Sequence, residues 1–247
     1  MYFHIDIYSD VICPWCFIGK RRLEQSMQVM ERQHTFTTTW RPFQLNPDIP
    51  EEGMDRQVYR TAKFGSWDYS QTLDAQVTAA GVREGIPFAF EQITRTPNTF
   101  DAHRLIWLAH HSGVQDLVVE GIFRAYFLEG KDVGNREVLE TVARRAGRGG
   151  EQMARLFKGD AGTSEVQLEE AQAGQLGISG VPYFVINGAY ALSGAQDVST
   201  LVNAFTLIDQ RTQQQLAKFS DGYVCGEDAC VLPAHGELEH SMKEGIA

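Results

Sequence analysis

The sequence predicts an α/β module that is interrupted by an all-helical insertion and followed by a C-terminal extension. Three observations lead there. Strand-like patterns occupy residues 2–45 in part and 183–193, while helical spacing fills the stretch between them. The flanking segments, 1–47 and 177–220, are each too short to close a sheet alone, so they are expected to share one. Residues 220–247 hold six acids against one Lys, with a cysteine pair, which is the composition of an extension rather than a core. The expected division is 1–47 with 177–220 as the α/β domain, 48–176 as the insertion and 221–247 as the extension.

The elements follow in order. Phe3, Ile5 and Ile7 alternate within Tyr2–Tyr8 and mark a strand with one buried face. A helix should then begin near Pro14, whose missing N–H is not needed in a first turn, and should bury Phe17, Leu23, Met27 and Met30. A Thr- and aromatic-rich segment from Phe36 to Leu45 predicts a second strand, stopped by Asn46-Pro47-Asp48-Ile49-Pro50. Apolar spacing of three and four predicts helices near 54–64, 68–80, 99–112, 114–129, 135–147 and 163–176, with Asn98 and Asp101 signalling the start of the third. Tyr183–Ile186 reads as a buried strand, Asn187-Gly188 as the turn of a hairpin and Ala189–Ser193 as its return. A last helix is expected from Asp197 to Phe219.

Composition narrows the function. Hydrophobic residues at 43% and charged residues at 22% exclude disordered, collagenous and coiled-coil chains. A net charge of −10 is repelled by phosphate backbones and anionic lipid, so neither nucleic acid nor membrane is an expected partner. No apolar run approaches the roughly 18 residues of a membrane span. Met1 leads straight into a strand pattern, not a signal peptide, so the expected compartment is the cytoplasm.

The four cysteines form two close pairs, Cys13/Cys16 and Cys225/Cys230. In a reducing compartment such pairs are redox centres or metal ligands more often than staples. Cys13-Pro14-Trp15-Cys16 sits at a strand-to-helix junction, where the first helical N–H groups favour a thiolate. Cys13 is therefore expected to be the exposed nucleophile. Cys16, three residues on along the same helical face, is expected to be the shielded thiol that resolves a mixed disulfide. The same spacing leaves open a zinc half-site, completed by Cys225 and Cys230 as a four-thiolate centre. Gly180-Val181-Pro182 precedes an apolar strand, and a cis bond at Pro182 would leave the Val181 N–H and C=O free to pair with an extended peptide. Trp15, between the cysteines, is expected to be exposed and to touch substrate, unlike Trp40, Trp67 and Trp107, which read as core. His103 reads as packing that could reach the active-site face, and Arg144, Arg145 and Arg148 as a solvated helix end.

These motifs, in this order, resemble the FrnE-like branch of the DsbA family. The resemblance runs over about residues 2–217 and rests on four stretches. They are Ser9-Asp10-Val11-Ile12-Cys13-Pro14-Trp15-Cys16, Arg41-Pro42-Phe43-Gln44-Leu45-Asn46-Pro47, Gly180-Val181-Pro182-Tyr183-Phe184-Val185-Ile186-Asn187-Gly188 and Ser193-Gly194-Ala195-Gln196. It implies a thioredoxin fold with a helical insertion, an active-site dithiol at Cys13 and Cys16, a cis-proline at Pro182, and substrate contacts from Pro14, Trp15 and Val181. The implied activity is protein thiol–disulfide exchange, as oxidase, reductase or isomerase, with no cofactor. Thiol- or disulfide-bearing proteins are the expected substrates, and glutathione or thioredoxin an electron partner. A neighbouring branch, the 2-hydroxychromene-2-carboxylate isomerases and kappa-class glutathione transferases, is similar over the same length but usually has Ser where this chain has Cys13. The pair Cys225/Cys230 is not part of the general pattern and is read as an auxiliary redox pair.

Overall fold

The first strand, β1 (Tyr2–Ser9), buries Phe3, Ile5 and Ile7 and feeds α1 (Pro14–Met30) through a short turn. The computed structural model describes residues 1–147, 150–221, 225–226 and 229–230. From α1 the chain returns as β2 (Thr35–Pro42), parallel to β1 in a register that pairs Tyr2 with Thr35 and Ser9 with Pro42. The strand ends at Pro42, short of the expected Leu45, where proline withdraws a ladder donor. Its outer edge is covered: the Gln115 side chain accepts from Trp40 N–H at 2.9 Å and donates to Trp40 C=O at 3.0 Å.

Between the flanks come β3 (Met54–Asp55), α2 (Arg56–Phe64), α3 (Trp67–Arg83), β4 (Arg95–Thr96), α4 (Phe100–His111), α5 (Gln115–Phe127), α6 (Arg136–Arg145), α7 (Gly150–Phe157) and α8 (Thr163–Gln175). Side-chain caps start three of these helices: Asp55 accepts from Val58 N–H, Ser66 from Tyr69 N–H and Asn135 from Glu137 N–H. At α4 the expected signal is displaced by one residue. Thr99 occupies the cap position, and Asn98 accepts from Phe100 N–H at 2.9 Å. Two features were not expected: the two-residue antiparallel ladder of β3 with β4, and α7, which buries Met153 and Phe157.

The chain then returns to the first sheet with β5 (Tyr183–Ile186), antiparallel to β1, and β6 (Tyr190–Ser193), antiparallel to β5. The sheet order is β2-β1-β5-β6, so strands from both flanks make one sheet. Asn187 and Gly188 take φ of 52° and 67°, the pair of positive values a two-residue hairpin needs. The Asn187 side chain also accepts from His4 N–H at 2.8 Å, fixing the turn to β1.

Tertiary contacts group the chain into Met1–Leu201 and Val202–Ala247, with α9 (Val198–Asp221) crossing that boundary. In the second unit β7 (Cys225–Gly226) pairs antiparallel with β8 (Ala229–Cys230), setting Cys225 opposite Cys230. The side chains of these four residues, residues 231–247 of the expected extension, and Arg148 lie outside the described residues. Among the described residues no helix is long and apolar enough to cross a membrane.

An aromatic core holds α1 in place. Phe17 stacks on Phe123 at 5.0 Å between centroids and meets Phe88 edge-on at 6.1 Å, while Phe88 meets Phe127 at 5.3 Å. Each such pair adds about 1 kcal/mol beyond its buried area. Phe17 lies four residues after Cys13, so this cluster fixes the first turn of α1. Of the tryptophans expected in the core, Trp40 is buried, whereas Trp67 and Trp107 are half-buried.

Lys20 fixes the next turn. It is buried and paired with Glu24, with Asp116 at 3.0 Å and with Glu120 at 3.5 Å, which ties α1 to α5. Burial alone would lower its pKa, but Asp116 and Glu24 more than offset that and hold it above the ordinary lysine value.

Candidate active site

Cys13 is the N-cap of α1, with extended backbone (φ −90°, ψ 110°), and Pro14 is the first helical residue. The Cys13 N–H donates to Asp10 C=O and the Cys13 C=O accepts from Cys16 N–H, both at 3.0 Å. These bonds close the turn that puts both sulfurs on the start of one helix. Both cysteines are free thiols.

The expected exposure holds only in rank. Cys13 is 5% exposed and Cys16 1%, so the expected exposed nucleophile is itself buried. The reason is local: the Cys13 thiol turns to the Val181 carbonyl and donates to it at 3.6 Å. Cys13 nevertheless lines a cavity of about 330 Å³, together with Pro14 and Trp15, and Cys16 does not. Trp15 is 41% exposed, as its place between the cysteines predicts. Burial, and next the hydrogen bond with Cys13, push the Cys16 thiol well above the ordinary value and keep it protonated.

The Val181–Pro182 peptide bond is cis. Pro182 is buried, and its C=O accepts from Gly194 N–H at 2.8 Å, anchoring it to the end of the hairpin. Val181 packs against the cluster of Tyr8, Ala173 and Ile178. The expectation that both Val181 backbone groups would stand free needs correction: with the dithiol reduced, the carbonyl is taken by the Cys13 thiol, which a substrate strand must displace. Gly19, one turn into α1, lets the helix approach this loop. A Cβ there would stand 3.0 Å from Pro182 Cγ and 3.4 Å from Phe184 Cζ.

Residues beneath the dithiol carry a signal the sequence reading missed. Asp10 is fully buried; its carboxylate accepts from Leu45 N–H at 2.7 Å and so binds the β1–α1 turn to the segment after β2. His103, 3% exposed, faces it from α4 with Nε2 3.6 Å from Asp10 Oδ1, beyond hydrogen-bond reach. Glu170 of α8 completes the group. Burial raises its pKa, His103 opposes that rise and Asp10 adds to it. His103 is thus packed inside the protein, facing two acids below the cysteines. An acid three residues before a CxxC motif, at the end of a buried strand, is the sequence mark that could have found Asp10.

Among the described residues no cluster of three or more His, Cys, Asp or Glu could hold a metal ion. The side chains of Cys225 and Cys230, on which the four-thiolate centre depends, lie outside the described residues.

A paired-strand sheet, a helix that begins at a dithiol and a cis-proline loop facing it are the geometry against which known families can be compared. The family model for the DSBA-like thioredoxin domain matches residues 4–206. The chain belongs to this family. Among solved structures, that of a probable DsbA oxidoreductase from Streptomyces coelicolor is 28% identical, covers 94% of this chain and all of its own (100%), and superposes with a TM-score of 0.73. The cytosolic disulfide reductase DsbM of Pseudomonas aeruginosa, solved with GSH, is similar in fold at TM-score 0.56 and 15% identity, over 87% of this chain and 99% of that one. Among sequences, the uncharacterized protein YwbO of Bacillus subtilis (strain 168) is 26% identical over 78% of this chain and 90% of its own. The DSBA-like family assignment confirms the thioredoxin fold with its added helices and gives the chain the thiol oxidoreductase character of that family.

Proposed function

We propose that this chain is a cytoplasmic protein thiol–disulfide oxidoreductase of the FrnE-like branch, with Cys13 as nucleophile and Cys16 as resolving thiol. One observation carries the reading: the Cys13 sulfur sits between the start of α1 and the loop of Pro182, at the edge of a cavity from which Cys16 is withdrawn. As a thiolate, Cys13 attacks a substrate disulfide, forming a mixed disulfide and releasing one substrate thiolate. Cys16, three residues on, then attacks the Cys13 sulfur and releases the second, leaving Cys13 and Cys16 joined. Run backwards, the same steps oxidise a substrate dithiol.

An extended substrate segment would lie along Val181, beside Pro182, with Pro14 and Trp15 forming the wall opposite. The approach of Gly19 keeps that loop close to the helix. Proteins bearing thiols or disulfides are the proposed substrates, with thioredoxin or glutathione returning electrons. Cys225 and Cys230 are proposed as an auxiliary pair. Directly opposed positions of an antiparallel ladder bring Cα atoms to about 4.5–5.5 Å, within the span of a disulfide.

Insulin reduction with dithiothreitol as electron source tests the reading. Cys13→Ser should abolish the catalysed rate, and Cys16→Ser should trap a mixed disulfide on Cys13. A Cys13→Ser variant as active as the parent would end it.

A further inference from the structure

The cavity beside Cys13 is lined across from the dithiol by α2 and α3, and its charge is opposite to that of the chain. Three cations face it, Arg56, Arg60 and Lys63, with a single acid, Asp74. Arg56 and Arg60 share that acid, at 2.6 Å and 2.8 Å. Lys63 is exposed and donates to neutral groups, Asn46 Oδ1 at 2.9 Å and Tyr59 OH at 2.7 Å; among the described residues it has no carboxylate partner. The lining therefore carries a net charge of about +2 on a chain of −10. A volume of about 330 Å³ is at the small end of ligand sites, too small for a folded protein.

We propose that this cavity admits small disulfides bearing carboxylates and presents their S–S bond to Cys13, with Lys63 as a specificity-determining residue. This rests on the exchange chemistry proposed above and adds a substrate class to it. The Cys13 thiolate attacks one sulfur of the small disulfide; a Cys13–sulfur bond forms, the S–S bond breaks, and one small thiolate leaves. The Cys16 thiolate then attacks Cys13 and expels the second. The dithiol loses two electrons, the small disulfide gains them, and the two protons released by Cys13 and Cys16 end on the two small thiols. Lys63 takes no part in bond making. It selects which disulfides reach the sulfur.

The test is single turnover of the pre-reduced full chain against dithiodipropionate (anionic), hydroxyethyl disulfide (neutral) and cystamine (cationic). Each rate is divided by the rate of the same disulfide with a simple free thiol, and glutathione disulfide serves as a larger anionic arm. The expected order is anionic, neutral, cationic, with about tenfold between the extremes, as one charged contact gives. The spread should shrink with salt. Lys63→Glu, which brings the lining to a net charge of about zero, should flatten the order, and Lys63→Arg should preserve it. A flat or reversed order in the parent, or an order unmoved by Lys63→Glu, overturns the proposal. Insulin reduction measured alongside separates the two levels. If insulin is reduced while the order is flat, only the cavity assignment falls; if neither insulin nor any small disulfide reacts, the exchange reading falls with it.

Discussion

Replacing Gly19 by Ala sets two known effects against each other at the contact between α1 and the Pro182 loop. In an open helix the change stabilises by about 1 kcal/mol, because Gly has more backbone freedom to lose. Here the new Cβ would stand 3.0 Å from Pro182 Cγ, 3.4 Å from Phe184 Cζ and 3.5 Å from Pro182 Cβ. The pyrrolidine ring is rigid, its carbonyl is held by Gly194 N–H at 2.8 Å, and Phe184 is fully buried, so neither neighbour swings aside. Overpacking of this kind costs about 1–3 kcal/mol. The net expectation is a loss of about 1 kcal/mol, or roughly 2–4 °C in Tm for a chain of this size. The rate of mixed-disulfide formation at Cys13 should fall as well, because Pro182 carries Val181, the thiol's partner. Gly174 is the control: it lies in α8 with nothing within 4 Å of an added Cβ, so Gly174→Ala should raise Tm by a similar amount. Thermal unfolding of both variants at neutral pH decides it. Equal stabilisation by the two substitutions would refute the claim that Gly19 is set by the approach of Pro182.

Because burial holds the Cys16 thiol well above its ordinary pKa, its thiolate fraction keeps growing with pH, so resolution of a mixed disulfide should accelerate past about pH 9 without a plateau. Stopped-flow release from a preformed Cys13 adduct reads this. The same raised pKa means the folded dithiol holds a proton the unfolded chain gives up; reduced protein should therefore lose stability as pH climbs above the ordinary thiol value, in urea titrations across that range. Glu170 obeys the same sign. Its pKa is raised by burial, so its charge works against folding above the ordinary carboxyl pKa; Glu170→Gln should raise Tm at pH 7 and change little near pH 4. For the second cysteine pair, peptide mass spectrometry of a Cys16→Ser variant after mild oxidation should find Cys13 joined to Cys225 or Cys230, and its absence would leave that pair outside the exchange.

Much of the fold was legible because its signals are local. Alternation in Tyr2–Tyr8, Pro14 in a first turn and Asn187-Gly188 each depend on a few neighbours, and each lies where the pattern put it. What escaped depends on contacts far along the chain. The β3–β4 ladder joins residues about 40 apart and is two residues long, so no window shows it. Two consecutive glycines, Gly149 and Gly150, stand at the start of α7, and among its described side chains Met153 and Phe157 mark the buried face. The site divides in the same way. Cys13, Cys16 and Pro182 were visible as residue types in particular places, whereas the burial of Cys13 follows from a bond to Val181, 168 residues away. Arg56, Arg60 and Lys63, spaced four and three apart, could have been read as one basic face of a helix. That this face looks onto the cysteine motif is information only the tertiary structure holds.

The most direct test of the central claim is the redox equilibrium of Cys13 and Cys16 in glutathione or dithiothreitol buffers, followed by alkylation and peptide mapping on a Cys225→Ser/Cys230→Ser background. One reversible two-electron transition is expected. Cys13 and Cys16 should be linked to each other when oxidised, and Cys13 should be alkylated first when reduced. Two cysteines that stay independently alkylated across the whole range of buffers, or Cys16 reacting before Cys13, would contradict it.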